Sequence, residues 1–567
     1  MVKKIKLFFF LIFLIAVFSR FYKLSSFPPA LNWDEVSHGY NAYNLLKTGK
    51  DQWGAPWPTF NFRAYGDYPM ALNLYLTLPS ISIFGLNSFA VRLPSALAGI
   101  IIIIASYYLG KMIFSESIYG LLLMFTTALS PWTILTSRAV FQSTIAQAFF
   151  LVGVVFFLYS VKEKKPGFFL PATIFWSLSE YGYHNTRLMA PALLIFAIFI
   201  YKGKITPFLK KRNLLLIIGL LLFSTLTAIQ LIDFLNPSSR ARGKWVFIID
   251  QGAINTINEQ RRTFSGNKFA GRLIYNKVTY FVPRFLSNFS QYFSPRQLFY
   301  EGGKQYQFSV QGWGLLYPVW IIFFYLGLIS IFLKVLKKKT DYLFILIWWV
   351  IGLIPAAITK DGFQVLRSMM IIPLPQLAIV EGLKITWLTF SKSKTGRTIT
   401  KLVYLVIILL SVTSFSLYLR DFFGPYSKSY SWAWQYGYEQ VVDYLKQHYS
   451  QYNKIIFSKR YGEPHEFILF YWPWPPDEYQ KDTQKVWDYH ADWYWVDRFD
   501  KFVFVNDWEV IDRVKDLPVG KAGQEGGRAG GEKDLLVTSP GNYPEGWSKI
   551  KTINFLDGKP AFEILEK

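Results

Sequence analysis

The chain has 567 residues, of which 52% are hydrophobic and 19% aromatic, and 61 Lys and Arg against 37 Asp and Glu give it a net charge of +24. Its apolar residues come in long blocks, which argues against an ordinary soluble protein and for a polytopic membrane protein. The lack of cysteine excludes a disulfide framework, a thiolate nucleophile and a cysteine metal site. The basic residues fall in short clusters between apolar blocks, so no nucleic-acid partner is expected and the lipid bilayer is.

The chain opens with Met1 to Lys6 and an apolar run resembling a signal peptide, but Arg20 to Lys23 follow directly and no small-residue cleavage site does. A retained first helix is expected. Apolar blocks of spanning length follow near 6–24, 91–113, 117–134, 141–161, 168–182, 188–202, 213–233, 312–336, 341–359, 368–388 and 400–420. The expected fold is therefore a polytopic α-helical membrane protein of about eleven transmembrane helices. Residues 69–86 are moderately apolar and read as an interfacial helix or an extra span.

Basic clusters set the orientation. Lys3, Lys4 and Lys6 precede the first helix, and Lys162, Lys164 and Lys165 form a short loop. Further clusters follow at 202–212, 334–339 and 392–401. All share one side if the helices alternate, and that side is the cytoplasm. The expected location is the plasma membrane, multi-pass, with a cytoplasmic N-terminus. Outer loops 25–90 and 234–311 then belong to a transmembrane domain over 1–420, and 421–567 to an extracytoplasmic soluble domain.

That last segment predicts a small α/β domain. Lys454 to Ser458, Lys501 to Val505 and Leu535 to Thr538 read as short strands. Thr552 to Leu556 and Ala561 to Leu565 read as a hairpin about Asp557-Gly558, and Tyr438 to His448 as a helix. Gly520 to Gly531 lacks the spacing of a phosphate loop and reads as a flexible loop. No solenoid-type repeat is evident.

The residue pattern with most chemical content is Trp33-Asp34-Glu35, two adjacent carboxylates in the first outer loop. Asp67 follows in Tyr65-Gly66-Asp67-Tyr68-Pro69. Outer helix ends carry Arg92, Arg138, Arg187 and Arg367, with Tyr181, Tyr183 and His184 beside Arg187. A carboxylate can take a proton from an attacking hydroxyl. Arginine grips phosphate oxygens with a bidentate fork and stabilises a phosphate leaving group.

Plainer readings stand beside these. Asn32 or Asp34 can cap a helix starting near Val36, with the acids offsetting its dipole. Asp67 can be a turn residue before Pro69. The arginines taken singly can be interfacial residues with buried stems. A lone His184 is more often hydrogen-bonded than a metal ligand. Tyr471-Trp472-Pro473-Trp474 can stack on sugars or simply pack the domain. Asn288-Phe289-Ser290 matches a glycosylation sequon.

Asp34-Glu35 followed by Gly39-Tyr40-Asn41 and Leu45 to Gly49 resembles the first outer loop of a known group. This is the dolichyl-phosphate-mannose–protein mannosyltransferase and aminoarabinose lipid A transferase group of GT-C glycosyltransferases, family 39-like. Arg92 to Ala96, Ser130-Pro131-Trp132 with Ser137-Arg138, and Tyr292 to Pro295 with Leu298 to Tyr300 and Gly302 continue the resemblance. It covers roughly residues 1–390.

The resemblance implies an inverting transfer of a sugar from a polyprenyl-phosphate carrier to a hydroxyl of a cell-envelope lipid, glycan or protein acceptor. It implies Asp34 as base with Glu35 beside it. Asp67 stands where the lipid A transferases carry an acid associated with a metal, so a divalent metal ion is an open cofactor question, with Asp67 and His184 as candidate ligands. The lysine of the relatives' Glu-Lys-Pro triplet is missing from Asp67-Tyr68-Pro69. Arg138 is the first choice to clamp phosphate, then Arg187, Arg367 and Arg92. Asp67, Tyr181, Tyr183 and His184 are expected to face substrate. A flippase for lipid-linked sugars is the rival from another class, and a protein O-mannosyltransferase the narrower alternative within the enzymes. Transporters place ionisable residues near mid-membrane and often show repeats, unlike this chain.

Overall fold

The computed structural model describes residues 2–210, 212–490, 493–515 and 533–567; the expected loop Gly520 to Gly531 lies outside them. Two compact units emerge, Met1–Tyr22 with Ser95–Leu419, and Lys23–Pro94 with Arg420–Lys567. Residues 25–90 were expected with the transmembrane part. Here they group with the C-terminal segment in the second unit.

The first unit is helical. α1 (Val2–Phe21) comes first in it. All eleven apolar blocks coincide with helix, but among the described residues seven helices are long and apolar enough to cross a membrane. The count becomes eight if Thr186–Ile200 and Lys202–Lys210, bent by 87°, are one span. The expectation of about eleven counted α1, which carries Lys3, Lys4, Lys6 and Arg20, and two blocks whose helices are short, Ser117–Leu129 and Phe169–Glu180. Close packing holds pairs of spans together. At Gly327 and Gly382 an added Cβ would overlap the backbone of Ala378 and Phe323 respectively, so only glycine lets Ile321–Leu336 and Leu374–Phe390 approach. The long segment 234–311 is itself mostly helical, from Pro237–Val246 to Lys277–Gln291. Asn288 of the sequon is buried there and donates to the carbonyls of Ala357 (3.0 Å) and Thr359 (2.7 Å), so its amide is engaged in the fold.

The second unit opens with α2 (Trp33–Thr48), followed by α3 (Leu72–Phe84). α2 starts and stops for local reasons. Asn32 accepts from the Glu35 amide at 3.0 Å while Glu35 accepts from the Asn32 amide at 3.2 Å, a reciprocal capping box. Gly49, at φ +70°, ends the helix in the left-handed region. α3 has 13 residues with Pro79 inside, too short to span.

Seven strands form one mixed sheet: β1 (Tyr452–Ser458), β2 (Val486–His490), β3 (Trp493–Phe499), β4 (Phe502–Val505), β5 (Lys533–Thr538), β6 (Ser548–Asn554) and β7 (Pro560–Glu566). Their order is β2-β3-β4-β1-β5-β7-β6, with β1 parallel to both β4 and β5 and the remaining pairs antiparallel. The expected strands, the hairpin and helix Tyr438–His448 are all present. The antiparallel β2 and β3 and helix Pro464–Tyr471 were not foreseen, since their aromatic residues show neither clean period. Ile456, Val505, Leu536 and Leu565 fill one core of this sheet. Trp474 is buried against Phe499 and Phe502, so the aromatic run packs the domain and does not offer Trp474 to a sugar.

Helix Pro464–Tyr471 lies against α2, and the approach is close: a Cβ on Gly39 would stand 2.6 Å from a ring carbon of Phe470.

Candidate functional site

The two adjacent acids have opposite environments. Glu35 is wholly buried and Asp34 is exposed. Arg92, also wholly buried, donates from Nε to Glu35 Oε1 at 2.9 Å and from Nη2 to Oε2 at 3.1 Å. Its remaining donors go to the carbonyls of Leu24 (3.1 Å), Pro28 (2.9 Å) and Ala30 (2.5 Å). The fork thus ties the approach segment 24–30 to the first turn of α2. Glu35, expected beside the base, anchors the first turn of α2, the cap and the guanidinium occupying both its oxygens. Arg92 is no phosphate ligand, because its donors serve that carboxylate and three carbonyls.

Asp34 sits beside an aromatic group. Tyr65 donates its hydroxyl to the Trp33 carbonyl and stacks on Trp493 at 5.4 Å and 15°. Burial first, then the nearby Asp34 and Glu466 charges, push the Tyr65 phenol well above its ordinary value, so it stays protonated. Trp33 is seated over Gly462, at φ +111°, where any Cβ would overlap the indole. Asp67 accepts the Tyr68 amide at 2.8 Å on its carboxylate, and its carbonyl accepts from the Ala64 amide at 3.1 Å.

The same unit contains acids that the sequence reading did not single out. His465 lies 3.4 Å from both Glu463 and Glu466. Glu466 accepts from Gln52 at 2.7 Å, whose amide N–H reaches Asn41 at 3.0 Å. Asn41 in turn donates to the Ser37 carbonyl at 2.9 Å, one turn along α2 from Asp34. Burial holds the Glu463 carboxyl above its ordinary value. Its only sequence signal is Glu-x-His-Glu ahead of an apolar helix.

In the first unit, the Arg138 guanidinium is buried and donates to the carbonyls of Ser19 (2.9 Å) and Tyr22 (2.8 Å). It therefore closes the C-terminus of α1, where a cation offsets the dipole. The first-choice phosphate clamp is a helix cap. Arg20, likewise buried, donates to Ala128, Thr133 and Ser19. Arg187 keeps more in reserve: Nη2 meets Asp233 at 3.2 Å, while Nε and Nη1 are buried without a protein partner. Arg367 pairs with Asp361 at 2.9 Å, and its carbonyl accepts from Asn185 at 3.0 Å, so the turn with Tyr181, Tyr183 and His184 lies against the Arg367 turn. Tyr183 is buried there and Tyr181 half-buried. Among the described residues no three His, Asp or Glu side chains gather as a metal site, so Asp67 and His184 do not belong to such a cluster.

A helical unit with, among the described residues, seven apolar helices long enough to cross a membrane and an α/β unit bearing one exposed acid beside one buried acid define a polytopic membrane protein. Residues 68–229 match the family model described as dolichyl-phosphate-mannose-protein mannosyltransferase, which bears out the resemblance over that stretch. No curated protein sequence matches the chain. Among solved structures, the chain is similar to the Archaeoglobus fulgidus oligosaccharyltransferase in its apo form, with a TM-score of 0.49 and 11% identity over 82% of this chain. The match spans 63% of that longer protein. It is also similar to ArnT from Cupriavidus metallidurans in the apo state, with a TM-score of 0.49 and 11% identity over 100% of this chain and 98% of the other. The undecaprenyl-phosphate-bound form of that protein gives a TM-score of 0.46 and 12% identity over the same shares.

Proposed function

We propose that this protein is an inverting glycosyltransferase that takes a sugar from a polyprenyl-phosphate carrier and gives it to a hydroxyl of a cell-envelope lipid, glycan or protein acceptor. The observation that carries the reading is the division of labour between neighbouring carboxylates. Glu35 is locked by Arg92 and the helix cap, and this fixes the first turn of α2, on which Asp34 stands exposed. Two acids whose environments differ in this way take different roles.

In the proposed reaction Asp34 accepts the proton of the acceptor hydroxyl as its oxygen attacks the anomeric carbon. The bond from that carbon to the phosphate oxygen breaks, and the polyprenyl phosphate leaves with the electron pair. Within the helical unit, Arg187, whose Nε and Nη1 have no protein partner, is proposed as a contact for a lipid phosphate, with Arg367 second. A carrier lipid suits a membrane-spanning enzyme because its tail stays in the bilayer. The basic clusters support an extracytoplasmic setting for Asp34 and for 421–567. The undecaprenyl phosphate named for the ArnT complex and the protein acceptor named in the family description belong to those proteins. For this chain they set the first donor and acceptor to try.

The test is transfer of radiolabelled sugar from a panel of polyprenyl-phosphate sugars to total envelope material, with wild type and Asp34→Asn. Label should enter lipid, glycan or protein with wild type only, and its fractionation identifies the acceptor. Transfer retained in Asp34→Asn rejects Asp34 as base. Binding of the donor lipids by wild type without any transfer returns the reading to transport.

A further inference from the structure

A cavity of about 450 Å³ lies in the second unit, away from Asp34 in sequence and in chemistry. It is bounded by the end of α2 at Thr48, the loop 50–54, helix Pro476–Lys481 and Lys485. Its volume falls within the usual range of small-ligand sites, about 300–1,000 Å³.

The lining is cationic. Lys50, Lys481 and Lys485 contribute to it, against the single carboxylate of Asp477. Asp477 pairs with Lys481 at 3.2 Å, both side chains being largely exposed, and the Asp482 charge acts on Lys485, so the three lysines of the lining outnumber the carboxylates near them. Lys485 is half-buried, donates to the Tyr479 carbonyl at 3.0 Å and lies 4.4 Å from the centre of that ring. Burial lowers its ammonium below the ordinary value, so an anion beside it would recover solvation that the fold removes.

One side is aromatic and the floor is fixed. Trp53 lines the cavity, and its indole N–H is buried without a protein partner. Its ring packs edge-on against Trp487 at 5.3 Å, with the Arg63 guanidinium 5.1 Å above it. Gln52 is wholly buried and is held by Glu466 and Asn41. Gln480, also in the lining, is held by Asn44 at 3.2 Å and the Asp51 carbonyl at 2.9 Å.

We propose that this cavity is a second binding site that takes an anionic sugar unit of a glycan, its acidic group between Lys50 and Lys485 and its ring beside Trp53. Ammonium groups supply the charge-assisted donors for a carboxylate or phosphate. An indole offers an apolar face that suits the apolar face of a sugar ring. The concave shape favours a single sugar unit over a flat bilayer surface. The site needs neither Asp34 nor a sugar donor, so it stands independently of the transfer reaction.

The test is calorimetric titration of the full-length protein in phosphatidylcholine nanodiscs. The probes are trigalacturonate, the neutral maltotriose, inorganic phosphate and phosphatidylglycerol vesicles. Trigalacturonate should bind at least tenfold more tightly than maltotriose, and more weakly as salt rises. The double variant Lys50→Gln/Lys485→Gln should weaken that binding at least tenfold with the unfolding temperature kept, Lys485→Arg should retain most of it, and Asp34→Asn should leave it unchanged. Equal binding of acidic and neutral trisaccharides, no binding of either, or indifference to the double variant overturns the proposal. Phosphate binding as tightly as trigalacturonate rejects sugar recognition. Vesicle binding lost in the double variant, with no trisaccharide bound, assigns the lysines to the membrane surface instead.

Discussion

Arg92→Ala tests the anchor beneath Asp34 directly. The substitution leaves the Glu35 carboxylate buried without its guanidinium partner and removes the donors that reach Leu24, Pro28 and Ala30. Both ion-pair side chains are fully buried, so no water makes good the loss. Breaking a buried pair from one side costs about 3–5 kcal/mol. At roughly 2–4 °C per kcal/mol for a unit of this size, the unfolding temperature should drop on the order of 10 °C. Glu35→Gln can still cap the helix, but it leaves the guanidinium buried and uncompensated, and a comparable drop is expected. Arg92→Ala/Glu35→Gln should lose less than the sum of the single variants, with a coupling of about 2 kcal/mol or more. Scanning fluorimetry of the detergent-purified protein reads all four forms, and limited proteolysis of 23–94 checks where the damage lies. A single variant that melts within about 2 °C of wild type refutes the anchor. If Glu35→Gln melts normally but no longer turns over, Glu35 belongs to the chemistry after all.

Three further outcomes are expected. Burial lowers His38 to about 4 in the folded protein, from an ordinary value of 6.5; between these pH values the unfolded chain binds the extra proton, so stability should fall as pH drops through that window, by up to about 3 kcal/mol, and His38→Phe should flatten the pH–stability curve. Gly39→Ala would place a Cβ 2.6 Å from Phe470 and 2.7 Å from Val91, so the overpacking cost of about 1–3 kcal/mol should exceed the helical gain of alanine, giving a lower unfolding temperature, and an unchanged one contradicts the contact. Arg138→Gln should lower the unfolding temperature while leaving the affinity for a polyprenyl phosphate within about twofold in a lipid-binding assay, since the guanidinium serves the carbonyls of Ser19 and Tyr22; selective loss of lipid binding restores it as a clamp.

What the sequence made legible follows from how local each signal is. Long apolar blocks become helices wherever they occur, and the strand at Tyr452–Ser458 and the helix at Tyr438–His448 carry their own periodicity. The Asn32-x-x-Glu35 spacing already encodes the capping box, so the anchoring side of the double acid was visible in four residues. The fate of each arginine was not. Arg92 finds Glu35 across 57 positions, and Arg138 finds Ser19 across 119, and nothing near either residue says which carbonyls will surround it. The grouping of 23–94 with 420–567 is hidden for the same reason, as are Gln52 and Glu466, which meet across 414 positions.

That grouping has a consequence for the order in which the molecule is made. The Trp33 amide is satisfied by Gln435, 402 positions later, and Gly39 lies beneath Phe470. At about 5–20 residues per second, the ribosome takes on the order of half a minute to synthesise 95–419 before those partners emerge. During that interval α2 has its cap and the Arg92 fork but nothing over its Phe470-facing side. A chain stopped near 419 should therefore insert its spans yet keep 23–94 sensitive to protease, and supplying 420–567 as a separate polypeptide should restore protection.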